Sequence, residues 1–194
     1  QETQDLLDNL ARRSPKAVEE LVPNILTLGT VQKVLQALIG EGVSIRDLLT
    51  IVETLADFGQ HTRDPDQLTE FVRQRLSRTV VKPYLSSQGA LPVISLAGPV
   101  EQTLQQSLRQ TEGGAYLALE PGEAQKIISA INSSYEQSNV SDGQPVLLTS
   151  PQVRPHLAQL VTRFIPVLPV ISQGEIPADI RLESIGTVRL THEG

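Results

Sequence analysis

The sequence predicts an α + α/β chain, with a helical subdomain over residues 1–88 followed by an α/β subdomain over 89–194 whose mainly parallel strands are covered by helices. Three observations carry this. Apolar residues in the first half recur at the i, i+3, i+4 spacing of amphipathic helices. In the second half short apolar runs alternate with amphipathic segments, the pattern of parallel strands joined by helical crossovers. Aromatics make up only 3% of the 194 residues and Trp is absent, so the core is built from Leu, Ile, Val and Ala.

The elements follow in order. Leu6, Leu7 and Leu10 begin a helix with no cap before it, which leads us to expect a fragment of a longer protein. Ser14 and Pro15 read as N-cap and first residue of a second helix, which Pro23 ends. A third runs from about Thr30 through Val31, Val34, Leu35 and Leu38, with Gly40 and Gly42 as stop signals. In "EGVSIRDLLTIVETLADFG", Ser44 precedes the apolar positions 45, 48, 49, 52 and 55, with Asp47 three residues on, so the pair reads as a capping box. Glu53 and Asp57 fall on that helix's polar side and read as a solvated face. Asp64-Pro65 is an N-cap and first-turn pair opening a fifth helix. "KPYLSSQGALP", residues 82–92, breaks the pattern and marks the subdomain boundary.

Beyond it, "LPVISLAGPVEQTLQQSL", "AYLALEPGEAQKIISAI" and "PVLLTSPQVRPHLAQLV" share one design of apolar run, proline turn and helix, with Pro99, Pro121 and Pro151 at the expected helix starts. "VLPVIS" is a further buried strand. "DIRLESIGTVRL" alternates with a phase slip near Gly186, where a bulge or bend is expected.

Chemistry is sparse. The 16 Lys and Arg stand against 22 Asp and Glu, a net charge of −6, and the cations are scattered, so nucleic acid is not an expected partner. No cysteine is present, which excludes disulfides and thiol catalysis and suits a reducing compartment. No apolar run reaches the roughly 20 residues of a membrane span, and the N-terminus lacks the pattern of a signal peptide, so solubility is expected. The strand-to-helix turns carry neither GxGxxG nor a GxxxxGK[ST] loop. Ser150 lacks the flanks of a nucleophile elbow and reads as an N-cap. His61, Asp64 and Asp66 match no ligand spacing, and His61, His156 and His192 are far apart, with His192 in an expected frayed tail. We expect no enzyme activity, no cofactor and no metal. The residues alone favour a binding or assembly role; the alternative is a small-molecule-binding α/β domain using the turns near Pro99, Glu120 and Ser150.

Several segments resemble, in order and wording, the flagellar export-gate family of type III secretion: "ETQDLLDNL", "ELVP", "VQKVLQALI", "VSIRDL", "VETLADFG", "RDPDQLTEFVRQRLSR", "PVLLTSPQVRPHLAQLV" and "EIPADIRLESIGTV". "VISQGEIP" departs from the Ser-His-Asn-Glu type of turn in flagellar members, and "RLTHEG" has no match. Injectisome counterparts share much of the pattern and are the alternative machine. The resemblance implies the cytoplasmic region of a multi-pass inner-membrane protein, at the cytoplasmic face of that membrane. Residues 1–13 then correspond to the end of an upstream subdomain, and the rest to a helical third and an α/β fourth subdomain. It implies a nine-subunit ring that receives export substrates with their chaperones and the stalk protein of the export ATPase, beside other export-gate membrane proteins. The helical subdomain is associated with ring contacts, the fourth with a cleft that opens and closes, and the principal chaperone pocket with upstream subdomains. Arg46 and Asp47, in the "IRD" motif, are then candidate subunit or partner contacts; Arg46 either reaches a neighbouring subunit or pairs with Glu41 or Glu20.

Overall fold

A computed structural model describes residues 1–191, so the expectation placed on His192 falls outside the described residues. The fold class is the expected one. The chain divides into two compact units, one of residues 1–80 and one from residue 81 onward.

The first unit contains α1 (Glu2–Ala11), α2 (Pro15–Leu21), α3 (Leu28–Gly40), α4 (Leu48–Gly59) and α5 (Pro65–Arg75), followed by the short α6 (Ser77–Val81). Its periodic apolar positions are the buried ones: Val31, Val34, Leu35 and Leu38 on α3, Ile51, Val52 and Leu55 on α4, Leu68 and Val72 on α5. Each such Leu or Ile contributes about 2 kcal/mol on leaving water. Asp64 caps α5 as expected, its carboxylate accepting from the Asp66 N–H at 2.9 Å. Helix α3 starts two residues earlier than expected, because the Thr27 hydroxyl caps the Thr30 N–H at 3.1 Å. On α5 the side chain of Arg73 is only 3% exposed and meets Glu41, the residue after α3, at 3.2 Å.

The second unit is built on a four-stranded parallel sheet of β1 (Ala90–Leu96), β4 (Val146–Thr149), β5 (Val170–Ser172) and β6 (Arg181–Val188), in the order β5-β4-β1-β6. Helices α7 (Gly98–Gln106), α8 (Pro121–Gln137) and α9 (Arg154–Phe164) supply its apolar cover. Val170, Leu147 and Ile94 stand in register across three strands and join Leu104, Ile131, Leu157 and Val161 in one buried cluster. Opposite Ile94 the row ends on Gly186.

Two expectations are corrected here. "AYLALE" does not enter the parallel sheet: β3 (Gly114–Leu117) pairs antiparallel with β2 (Leu108–Thr111), and Gly114, at φ +115°, makes the tight reversal possible. Local hairpin closure wins over a long crossover, so only two of the three strand-to-helix units feed the sheet. Pro151 does not open α9 either. Residues 151–153 form a turn whose Val153 and Arg154 N–H groups reach the Ser150 carbonyl, and the helix begins at Arg154 with Pro155 in its first turn. The slip near Gly186 is present: Val93 pairs with Ser184 and Ile94 with Gly186, so Ile185 is the extra residue of a bulge.

Candidate functional site

In the first unit Asp47 is itself the N-cap of α4. Its Oδ1 accepts from the Thr50 N–H at 3.2 Å and its Oδ2 from the Thr50 hydroxyl at 2.7 Å. This corrects the capping box expected to start at Ser44. Asp caps at least as well as Ser, and the second bond from Thr50 fixes the helix start at Leu48. Ser44 instead accepts a long 3.4 Å bond from the Arg46 N–H.

Arg46 is exposed, and among the described residues its guanidinium makes no ion pair or hydrogen bond. The Glu41 carboxylate is engaged by Arg73. Arg46 lines a groove of about 790 Å³ with Leu6, Leu10, Arg12, Arg13, Asp47 and Leu49, so three guanidinium groups surround an apolar floor with Leu6 38% and Leu49 36% exposed. A second groove of about 560 Å³ shares Ser14 and Leu49 with the first but is lined by Glu20, Glu53 and Asp57 beside Lys16. Glu53 is exposed, and Asp57 is held loosely by Arg75 at 3.5 Å, with their side chains 63% and 49% exposed. Two grooves of opposite sign therefore meet at one exposed leucine. Such an arrangement suits docking of charged protein surfaces.

In the second unit, an open α/β sheet binds ligands beyond the carboxyl ends of its strands. Here Glu101, in the first turn of α7, occupies that end of β1 and β4. Its carboxylate accepts from the Thr149 hydroxyl at 2.8 and 3.1 Å and from the Ser150 N–H at 3.1 Å. The N-cap role expected of Ser150 is not taken up, since its buried Oγ has no hydrogen-bond partner. Glu101 has taken the backbone donor that a phosphate or carboxylate ligand would use. Among the described residues no three His, Cys, Asp or Glu side chains are grouped to hold a metal ion.

One further charged pair escaped sequence reasoning. Arg154 and Glu175, 1% and 0% exposed, meet at 3.3 Å; Arg154 also donates to the Val170 carbonyl at 3.2 Å, and Glu175 accepts from the Ser172 N–H at 3.3 Å. The pair ties the turn "SQGE", part of the departure from the family wording, to the start of α9. No periodicity in the sequence links the two positions.

Comparison with known proteins gives the context. A model of the FHIPEP family matches residues 1–181. The chain belongs to the FHIPEP family. It is 42% identical over 188 residues to the flagellar biosynthesis protein FlhA of Bacillus subtilis (strain 168), an alignment covering 97% of this chain and 28% of that protein. Among solved structures it is similar to nonameric EPEC SctV-C, with a TM-score of 0.87 and 34% identity over 97% of this chain and 56% of that one. It is also similar to a chain of the Chlamydia pneumoniae CdsV and CdsO complex, with a TM-score of 0.88 and 30% identity over 97% and 54% of the two chains. The chain thus spans little more than a quarter of its flagellar relative and just over half of the solved chains.

Proposed function

We propose that this chain is a ring-forming, non-enzymatic part of a type III protein export gate at the cytoplasmic face of a bacterial inner membrane, and that Arg46 and Asp47 stand at a subunit contact. The observation that carries this is the likeness, over 97% of the chain, to a protein solved as a nonamer. Identity of 42% to a flagellar relative against 34% to SctV-C favours the flagellar machine over an injectisome. The basic groove around Arg46 and the acidic groove beside it support a charge-complementary contact with a neighbouring subunit. The family context and the complex of CdsV with CdsO support partner proteins beyond the ring itself. For this chain we assign them as chaperone-bound export substrates, the stalk protein of the export ATPase and the other export-gate membrane proteins. The Glu101 closure of the strand ends supports docking over small-molecule chemistry.

Sedimentation velocity of the whole chain across a concentration series tests the contact. Arg46→Glu is expected to weaken self-association several-fold at low salt, with the difference shrinking as salt screens the grooves. Equal association of parent and variant at every ionic strength removes Arg46 from the interface.

A further inference from the structure

The α/β unit carries a groove lined by none of the residues assigned to the ring contact. It holds about 490 Å³ and lies between one face of α8 and the end of β6, with Lys126, Ser129 and Ser133 on the helix and Thr187, Arg189 and Thr191 on the strand side. Strand β6 is at the end of the sheet order and pairs with β1, so no described strand pairs with its other edge. The Val188 carbonyl accepts from the Ala97 N–H at 2.9 Å, on the β1 side. Because backbone groups alternate sides along a strand, the N–H and C=O of Thr187, a residue that lines the groove, face away from β1. The bulge at Ile185 interrupts the edge upstream, which confines regular pairing to the stretch from Gly186 onward.

The helix side matches this edge. Lys126, Ser129 and Ser133 recur at i, i+3 and i+7 on the face of α8 away from the buried Ile127, Ile128 and Ile131. The two hydroxyl groups can accept from or donate to a bound segment. The charge is one-sided. Lys126 and Arg189 are both exposed, and among the described residues no carboxylate lines the groove, in a chain whose net charge is −6.

We infer that this groove is a strand-addition site that takes an extended, acidic segment of a partner protein, paired through its backbone to Thr187 and held by Lys126 and Arg189. Main-chain bonds to a sheet edge supply affinity without demanding a sequence, while the groove wall selects alternate side chains. The occupant is assigned as acidic by charge complementarity, because the charged side chains that line the groove among the described residues are the cations Lys126 and Arg189. The inference does not rest on the ring reading.

The probe is a fluorescein-labelled peptide of alternating glutamate and valine, titrated with the whole chain and read by fluorescence anisotropy. Saturable binding is expected. The double variant Lys126→Glu/Arg189→Glu should weaken it about tenfold or more, the combined effect of two exposed charge pairs. Thr187→Pro removes one outward N–H while leaving the β1 side of the strand untouched, and should weaken it further. The same peptide N-methylated at alternate residues leaves the protein unaltered and should not bind. Binding that survives N-methylation overturns strand addition, as does an absence of saturation at millimolar protein. Stabilisation by inorganic phosphate that Lys126→Glu/Arg189→Glu abolishes, with no peptide binding, would make the groove an anion site and overturn the inference equally.

Discussion

Replacing Glu175 with alanine tests the energetic reading of the buried ion pair. The substitution removes the Glu175 carboxylate from the Arg154 guanidinium, 1% exposed, and from the Ser172 N–H. Removing one partner of a buried pair costs about 3–5 kcal/mol, and the stranded amide pushes the value to the upper end of that range. The double variant Arg154→Met/Glu175→Leu removes both charges and keeps most of the volume, so it should lie within about 2 kcal/mol of the parent. With the singles Arg154→Met and Glu175→Leu each costing about 3 kcal/mol or more, the cycle gives a coupling of at least about 2 kcal/mol. Urea unfolding read by tyrosine emission suits the question, because the chain's three tyrosines, Tyr84, Tyr116 and Tyr135, all lie in the α/β unit. A loss under about 1 kcal/mol for Glu175→Ala, or a double variant as unstable as the sum of the singles, refutes the reasoning.

Three further outcomes are expected. Asp142 is held below its ordinary value of 3.8, first by the Ser87 hydroxyl and then by the Ser87 N–H, at 2.6 and 3.0 Å. A depressed folded-state pKa stabilises above the unfolded value and is lost as pH falls through the folded one, so acid unfolding of Asp142→Asn should show a shallower pH dependence below about pH 4. Gly59→Ala and Gly40→Ala should have opposite signs. A Cβ at Gly59 would stand 2.7 Å from the Ile25 side chain and cost about 1–3 kcal/mol, whereas nothing lies within 4 Å at Gly40, where alanine should gain about 0.5 kcal/mol in thermal melts. Asp47→Ala removes the α4 cap and should cost about 1 kcal/mol, while Asp47→Asn retains most of it; equal losses would show that the carboxylate charge, rather than the cap, matters.

Much of the architecture could be read because local chemistry and burial agree. Val31, Val34, Leu35 and Leu38 are spaced for one helix face and all four are buried; Asp64-Pro65 and Pro121 sit where their geometry is tolerated; the slip at Gly186 marks a real bulge. The failures share a cause. The run "AYLALE" carries the apolar content of a core strand, but Gly113-Gly114 between two short runs is also a hairpin signal, and the partner "LRQT" is too polar to announce itself. Ser44, Ser150 and Pro151 each fit a helix start; at α4 the second bond from Thr50 decides for Asp47, whereas at α9 a backbone turn on the Ser150 carbonyl moves the start to Arg154. Arg154 and Glu175 are brought together by the path of β5, which no short window contains. The charge of the Arg46 groove is likewise a product of assembly, since Arg12 and Arg13 come from the end of α1 and its vicinity while Arg46 precedes α4.

The Glu101 bridge has a mechanical consequence. A sheet that waits for a ligand at its strand ends has two ground states, and its shape follows the concentration of that ligand. Where an internal carboxylate already fills the backbone donor and the hydroxyl at those ends, the corner between β1, β4 and α7 is set at the moment of folding. The unit is braced there by its own side chain.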